Sequence, residues 1–180
     1  MSQKEYWQNL IRDVSVWNQW RKVNDDVTMD LSGVNLSNYN LEGVNLQDCN
    51  LSNSILIGCN LRFANLANTN LTDANLIGVN LRLANLQKAI LHRTQLNRAN
   101  LSETNLCQTL IIEADLSNAV LYETEFSEAK VYQSNFHQAE FVNTHLVKSD
   151  IILCNFDSAK IRNADFRWTR KFENEHLLIN

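Results

Sequence analysis

From Leu31 onward the chain places an apolar residue at every fifth position without a break: Leu31, Leu36, Leu41, Leu46, and so on to Phe156, Ile161 and Phe166. These 28 centres comprise 19 Leu, 5 Phe, 3 Ile and 1 Val. Two residues before each centre stands a second restricted position. It holds Ala at 11 sites, Thr at 6, and Ser, Cys or Val at 3 each, and only Met29 and Tyr39 are large there. The residue between the two is Asn at 14 of the 28 sites, while the remaining two positions vary and are largely polar.

This period excludes the two common elements. On an α-helix, residues five apart drift by about 140°, which would carry the leucines round every face. A plain strand alternates faces with period two, so an odd spacing would put successive leucines on opposite sides. Within one unit the pattern is in, out, in, out, out. The first three residues behave as a short strand, and the doubled outward pair is where the chain must turn. Four such corners close a square coil, and stacked coils share backbone hydrogen bonds. The series predicts an all-β solenoid of about seven coils, about 34 Å long at an inter-strand spacing of about 4.8 Å.

Units such as Ala64-Asn65-Leu66, Ala74-Asn75-Leu76 and Ala114-Asp115-Leu116 follow the pattern A(D/N)LXX, and on them the chain resembles the pentapeptide-repeat family. The resemblance covers all 28 units and implies a right-handed quadrilateral β-helix.

Open coil ends invite edge-to-edge association, so solenoids need caps. Ser2 and Glu5 have the spacing of a capping box. Trp7, Leu10, Ile11, Val14 and Trp17 then mark one helical face. The segment VWNQWRKVN is similar to the N-terminal caps of some members of the family, many of them cyanobacterial. Tyr39, large at a normally small site, is expected to meet this cap. The division expected is a helical cap at 1–28, the β-helix at 29–168 and a tail or cap at 169–180. The tail breaks the apolar frame after Phe166 and carries Phe172, Leu177 and Leu178, which can cover the last coil. The chain reads as a monomer. A homodimer through the C-terminal end, as in some relatives, is the alternative.

Composition adds constraints. With 44% hydrophobic residues and a net charge of −4 the chain can bury a core. It has no Pro and only 4 Gly, so the corners must come from other residues, and Asn is the abundant candidate. No apolar run approaches the ~20 residues that span a bilayer, and the N-terminus lacks a signal-peptide pattern, so the expected location is cytoplasmic, away from any membrane. Cys49, Cys59, Cys107 and Cys154 form no CxxC pair and read as reduced thiols, with Cys107 alone pointing outward.

Catalysis needs convergent polar groups in a concave site. Sorted by coil, His92, His137 and His145 fall on three different walls, and no nucleotide-binding or HExxH motif is present. No enzyme, metal or cofactor is therefore expected. Partner information must lie in the outward positions. Ile57, Arg62, Phe63, Ile77, Arg82 and Leu83 stack into one apolar patch with two arginines, and Ile112, Tyr132, Ile152 and Leu153 form a second. Arg82, Lys88, Arg93 and Arg98 form a basic band, followed by an acidic one from Glu103 to Glu140. The expected function is a non-catalytic scaffold for an unidentified protein partner. The resemblance offers an alternative, since some members mimic duplex DNA and protect DNA gyrase. The sequence pI of about 5.5 and the lack of a basic stripe argue against nucleic acid as a ligand.

Overall fold

The structure is a computed structural model that describes residues 13–25 and 27–173. From Asp30 the chain winds into a square solenoid in which each residue pairs in parallel with the one twenty positions on. Asp30 pairs with Asn50, Asn50 with Asn70, and Asn70 with Ile90. The same ladder continues from Ile90 to Leu110, Lys130, Asp150 and Arg170. We number the walls by their first centres: wall 1 begins at Leu31, wall 2 at Leu36, wall 3 at Leu41 and wall 4 at Leu46.

The centres fill the interior. Every centre from Leu31 to Phe156 is 2% exposed or less. The small position lets opposite walls close on this core, and its hydroxyls are satisfied locally. Thr104 Oγ1 donates to Leu81 O at 2.7 Å, Thr124 Oγ1 to Leu101 O at 2.7 Å, and Ser54 Oγ to Leu51 O at 2.6 Å. That is why Thr substitutes for Ala here without stranding a buried polar group.

The corners divide the work between two residues. The Asn before a centre does not itself adopt the turn conformation. Its Oδ1 accepts from the backbone N–H two residues on, as from Ser52 to Asn50 at 3.1 Å and from Gln87 to Asn85 at 3.1 Å. The left-handed residue is the second outward one, at every fifth position from Gly33 to Glu173. All four glycines, Gly33, Gly43, Gly58 and Gly78, stand at this position. Most corners close with an N–H to C=O bond across three residues, such as Ala64 N to Leu61 O at 3.1 Å, which with positive φ at the third residue makes a type II turn.

Eight corners open out instead, and there the strand lengthens. On wall 1 these are β1 (Ile90–His92), β2 (Leu110–Ile112), β4 (Lys130–Tyr132), β6 (Asp150–Ile152) and β8 (Arg170–Phe172). On wall 3, opposite, they are β3 (Val120–Tyr122), β5 (Glu140–Val142) and β7 (Lys160–Arg162). They form two parallel sheets, ordered β1-β2-β4-β6-β8 and β3-β5-β7. None of the eight carries Asn before its centre, and all four β-branched centres, Ile111, Val131, Ile151 and Ile161, lie in them. Loss of the side-chain bond that tightens a corner permits the longer strand without forcing it, since the corners at Leu56 and Leu96 also lack Asn and still close. In four of the eight the β-branched centre further favours extended backbone. The phenylalanines fill this half of the rod. Phe136 and Phe156 stack at 5.0 Å, and Phe141 meets them at 5.3 and 5.6 Å.

At the N-terminal end, helix α1 (Val14–Lys22) seals the first coil. Asp13 caps it by accepting from Ser15 N at 2.8 Å, and hydrogen bonding from the Ser15 side chain and backbone holds the Asp13 carboxyl below its usual pKa. The helix occupies the backbone groups that no lower coil reaches. Asn18 accepts from Asn45 N and donates to Gly43 O, both at 2.8 Å, as a strand would. Trp17 Nε1 donates to Asn45 O at 2.7 Å. Arg21, itself 1% exposed, donates to Val27 O and Gln47 O at 2.7 Å each. Apart from the bond to Val27, these contacts run to residues 43–47, and Tyr39 is 39% exposed. Ser2, Glu5, Trp7, Leu10 and Ile11 lie outside the described residues.

At the other end the apolar series stops at Phe166, but the ladder does not. β8 pairs with β6 although Lys171 stands where a centre would be, and Lys171 Nζ lies 4.9 Å from the Phe166 ring. The frame therefore runs one unit beyond its last apolar residue, because backbone pairing does not require one. His176, Leu177, Leu178 and the side chain of Phe172 lie outside the described residues.

Candidate interaction surface

A packed interior leaves only the outer surface for chemistry. Among the described residues no three metal-ligating side chains converge. His92, His137 and His145 stand on walls 1, 2 and 4, each beside a carboxylate of a neighbouring coil. The pairs are His92 with Glu113 at 3.9 Å, His137 with Asp157 at 3.2 Å, and His145 with Glu125 at 2.5 Å. A groove of about 520 Å³ runs along Asn118, Gln138 and Ser158 beside Val120, Glu140 and Lys160, and in it Lys160 Nζ donates to Glu140 at 2.6 Å.

The thiols follow their burial. Loss of solvation pushes Cys49 and Cys59 up to about 12 and Cys154 to about 11. The half-buried Cys107 is raised too, again mainly by desolvation. Since the thiolate is the reactive form, a disulfide reagent at pH 8 is expected to modify one thiol of the native protein, Cys107, and all four after denaturation. Rapid modification of two or more native thiols would contradict this placement.

The first sequence-predicted patch divides. Arg62, Phe63, Arg82 and Leu83 share the corner between walls 3 and 4, stacked by Phe63 N donating to Arg82 O at 3.1 Å. Phe63 and Leu83 are 49% and 36% exposed. Both hold positive φ, which is costly for a bulky side chain, of order 1 kcal/mol each. The Arg62 guanidinium sits 5.1 Å from the Phe63 ring centre. Arg82 binds Glu103 of the next coil at 2.7 Å. Ile57 and Ile77 stack at the preceding corner, with outward Asn60 and Asn80 of wall 3 between them and the ridge.

The second patch is a strand ladder. Ile112 pairs with Tyr132 and Tyr132 with Ile152, all half-buried, and Tyr132 Oη donates to Asp150 at 3.4 Å. Leu153 projects from the next corner at positive φ. Sequence reasoning passed over Trp168, which is 72% exposed at the same kind of corner. It also passed over Tyr122, which with Glu123 of the acidic band continues the Phe63–Leu83 column. The two outward positions after a centre, sorted in steps of twenty, mark all of them.

The basic band proves to be a ring. Arg82, Lys88, Arg93 and Arg98 stand at the four successive corners of one turn, and Arg93 is tied to Asp73 at 2.6 Å, which holds the Asp73 carboxyl below its usual range.

With this geometry in hand, family comparison is decisive. A model described as a pentapeptide repeat region matches residues 29–106, and one for pentapeptide repeats in 8 copies matches 99–138 and 134–170. The chain belongs to the pentapeptide-repeat family. The solenoid is accordingly the right-handed quadrilateral β-helix of that family. Among solved pentapeptide-repeat structures, a trypsin-treated form of QnrB1, a plasmid-mediated fluoroquinolone resistance protein, is 16% identical with a TM-score of 0.51, over 79% of this chain and 78% of that one. HetL, involved in heterocyst differentiation regulation in the cyanobacterium Nostoc sp. strain PCC 7120, is 23% identical with a TM-score of 0.48, over 80% of this chain and 84% of that one. Both are likenesses of fold. No protein of curated function matches the chain.

Proposed function

We propose that this pentapeptide-repeat protein is a non-catalytic scaffold that binds another protein through its outward corners. The observation that carries this reading is the Phe63–Leu83 ridge, where large apolar side chains project into solvent from a conformation that glycine would hold without strain. The corners of a packed rod present side chains on a rigid frame. The second candidate surface is Leu153 beside the Ile112–Tyr132–Ile152 ladder.

Affinity capture with the wild-type protein and with a Phe63→Asp, Leu83→Asp double variant tests this reading. Loss of a captured protein by the variant is expected, and identical captured sets would sink it. The DNA-mimic alternative calls for a continuous acidic face. Here the outward column of wall 4 reads Asn45, Asn65, Asn85, Asn105, Glu125, His145 and Asp165, and that of wall 3 ends in Val120, Glu140 and Lys160. DNA gyrase supercoiling is therefore expected to be unchanged when the protein is titrated in, and inhibition or protection would revive that alternative.

A further inference from the structure

The corner between walls 3 and 4 changes character along the rod. In the order of stacking it presents Arg62 and Phe63, then Arg82 and Leu83, then Ser102 and Glu103, then Tyr122 and Glu123. Backbone hydrogen bonds hold this column in line: Phe63 N to Arg82 O at 3.1 Å, Leu83 N to Ser102 O at 3.1 Å, Glu103 N to Tyr122 O at 2.7 Å, and Glu123 N to Val142 O at 2.8 Å. Two coils are thus apolar and basic, and the next two are acidic with an exposed tyrosine. Tyr122 is 41% exposed, and the carboxylate of Glu123 that accepts from its hydroxyl raises its pKa.

Such a column is complementary to itself reversed. A two-fold axis perpendicular to the rod, midway between the Leu83 and Glu103 coils, would set Arg82 and Leu83 of one protomer against Ser102 and Glu103 of its partner. It would likewise set Arg62 and Phe63 against Tyr122 and Glu123. No like charges meet in that register. The next pair outward, Glu42 and Gly43 against Val142 and Asn143, brings a single charge against neutral residues. The Arg82–Glu103 ion pair already present straddles the axis, so its duplicate would complete an alternating ring of four charges.

We infer that a second copy of this chain, antiparallel and side by side, occupies the Phe63–Leu83 corner. This rests on the reading of that corner as a protein-binding surface and names its occupant. An isologous pairing of this kind is the commonest form of homodimer. Four coils at about 4.8 Å give a contact about 20 Å long on a narrow edge, so the area it buries falls well below the roughly 1,200 Å² of a stable interface. The dimer is therefore weak, in rapid exchange and sensitive to salt.

Sedimentation of the full chain, up to about 1 mM and at low salt, provides the test. The wild type is expected to show a concentration-dependent dimer. Arg62→Glu with Arg82→Glu makes all four positions acidic, and Glu103→Arg with Glu123→Arg makes all four basic. Each variant alone should dimerise at least about tenfold more weakly, while an equimolar mixture should restore association to the wild-type level or beyond. Far-ultraviolet dichroism confirms that each variant is folded. A wild type that stays monomeric, a dimer indifferent to both charge sets, or a mixture that fails to recover would each overturn the proposal. A protein captured through Phe63 and Leu83 in the face of such a result would leave the scaffold reading standing.

Discussion

Replacing Leu86 by Asn is expected to destabilise the protein by about 4 kcal/mol, and Leu86→Ala by about 3 kcal/mol. Leu86 is wholly buried in the wall 4 column between Leu66 and Leu106. Truncating a buried leucine costs about 2–5 kcal/mol through lost burial and the cavity left behind. Asparagine fills part of that cavity but brings an amide into a core with few free partners, which adds roughly 1–3 kcal/mol. The outward neighbour Gln87→Ala should stay within about 0.5 kcal/mol of the wild type. Chemical denaturation of the three variants checks the ranking. Equal effects at 86 and 87 would mean that the fivefold pattern does not mark the interior.

Arg21→Ala is expected to cost about 3 kcal/mol and to act locally. The guanidinium is buried and gives one bond to Val27 O and one to Gln47 O, each a charge-assisted bond worth roughly 1.5–3 kcal/mol when its acceptor would otherwise be stranded. Its loss loosens α1 from the first coil and opens an unpaired strand edge. Hydrogen exchange should therefore quicken at Asn45 N, which Asn18 now holds, and remain slow at Asn105 N, bonded to Ala84 O at 3.0 Å. Lysine at this position should rescue poorly, since one ammonium replaces a fork that spans two carbonyls. A uniform rise in exchange along the rod would show that the helix is not a local seal.

The architecture was legible because one physical demand, a dry interior, recurs at every fifth residue. The corners were only half legible. Asn was expected to make the turns, and its side chain does bind the backbone there. Yet the left-handed residue is the one two after the centre, where Phe63, Lys88, Glu128 and Trp168 all occur. Stacking against neighbouring coils holds that conformation whatever the side chain, so composition carries little trace of it. The trace that exists is the placing of all four glycines. The change to open corners was written in Ile111, Val131, Ile151 and Ile161, but only pairing across coils shows what β-branching there does. How the first patch is spread round the rod was not legible, because sorting by coil gives height along the rod more readily than distance round it. Ile57 and Phe63 lie at opposite ends of one wall, and Asn60 stands between them.

Four units to a turn is the proposition from which walls, corners and patches all follow. Cysteine pairs placed fifteen, twenty and twenty-five residues apart distinguish three-, four- and five-sided coils. In a Cys107→Ser background, Asn85→Cys would be combined in turn with Asn100→Cys, Asn105→Cys and Leu110→Cys, and the peptides joined on mild oxidation identified by mass spectrometry. Asn105 Nδ2 donates to Asn85 Oδ1 at 3.1 Å across adjacent coils, within the reach of a disulfide. The 85–105 pair alone should close rapidly; rapid closure of 85–100 or 85–110 in its place would contradict the square coil.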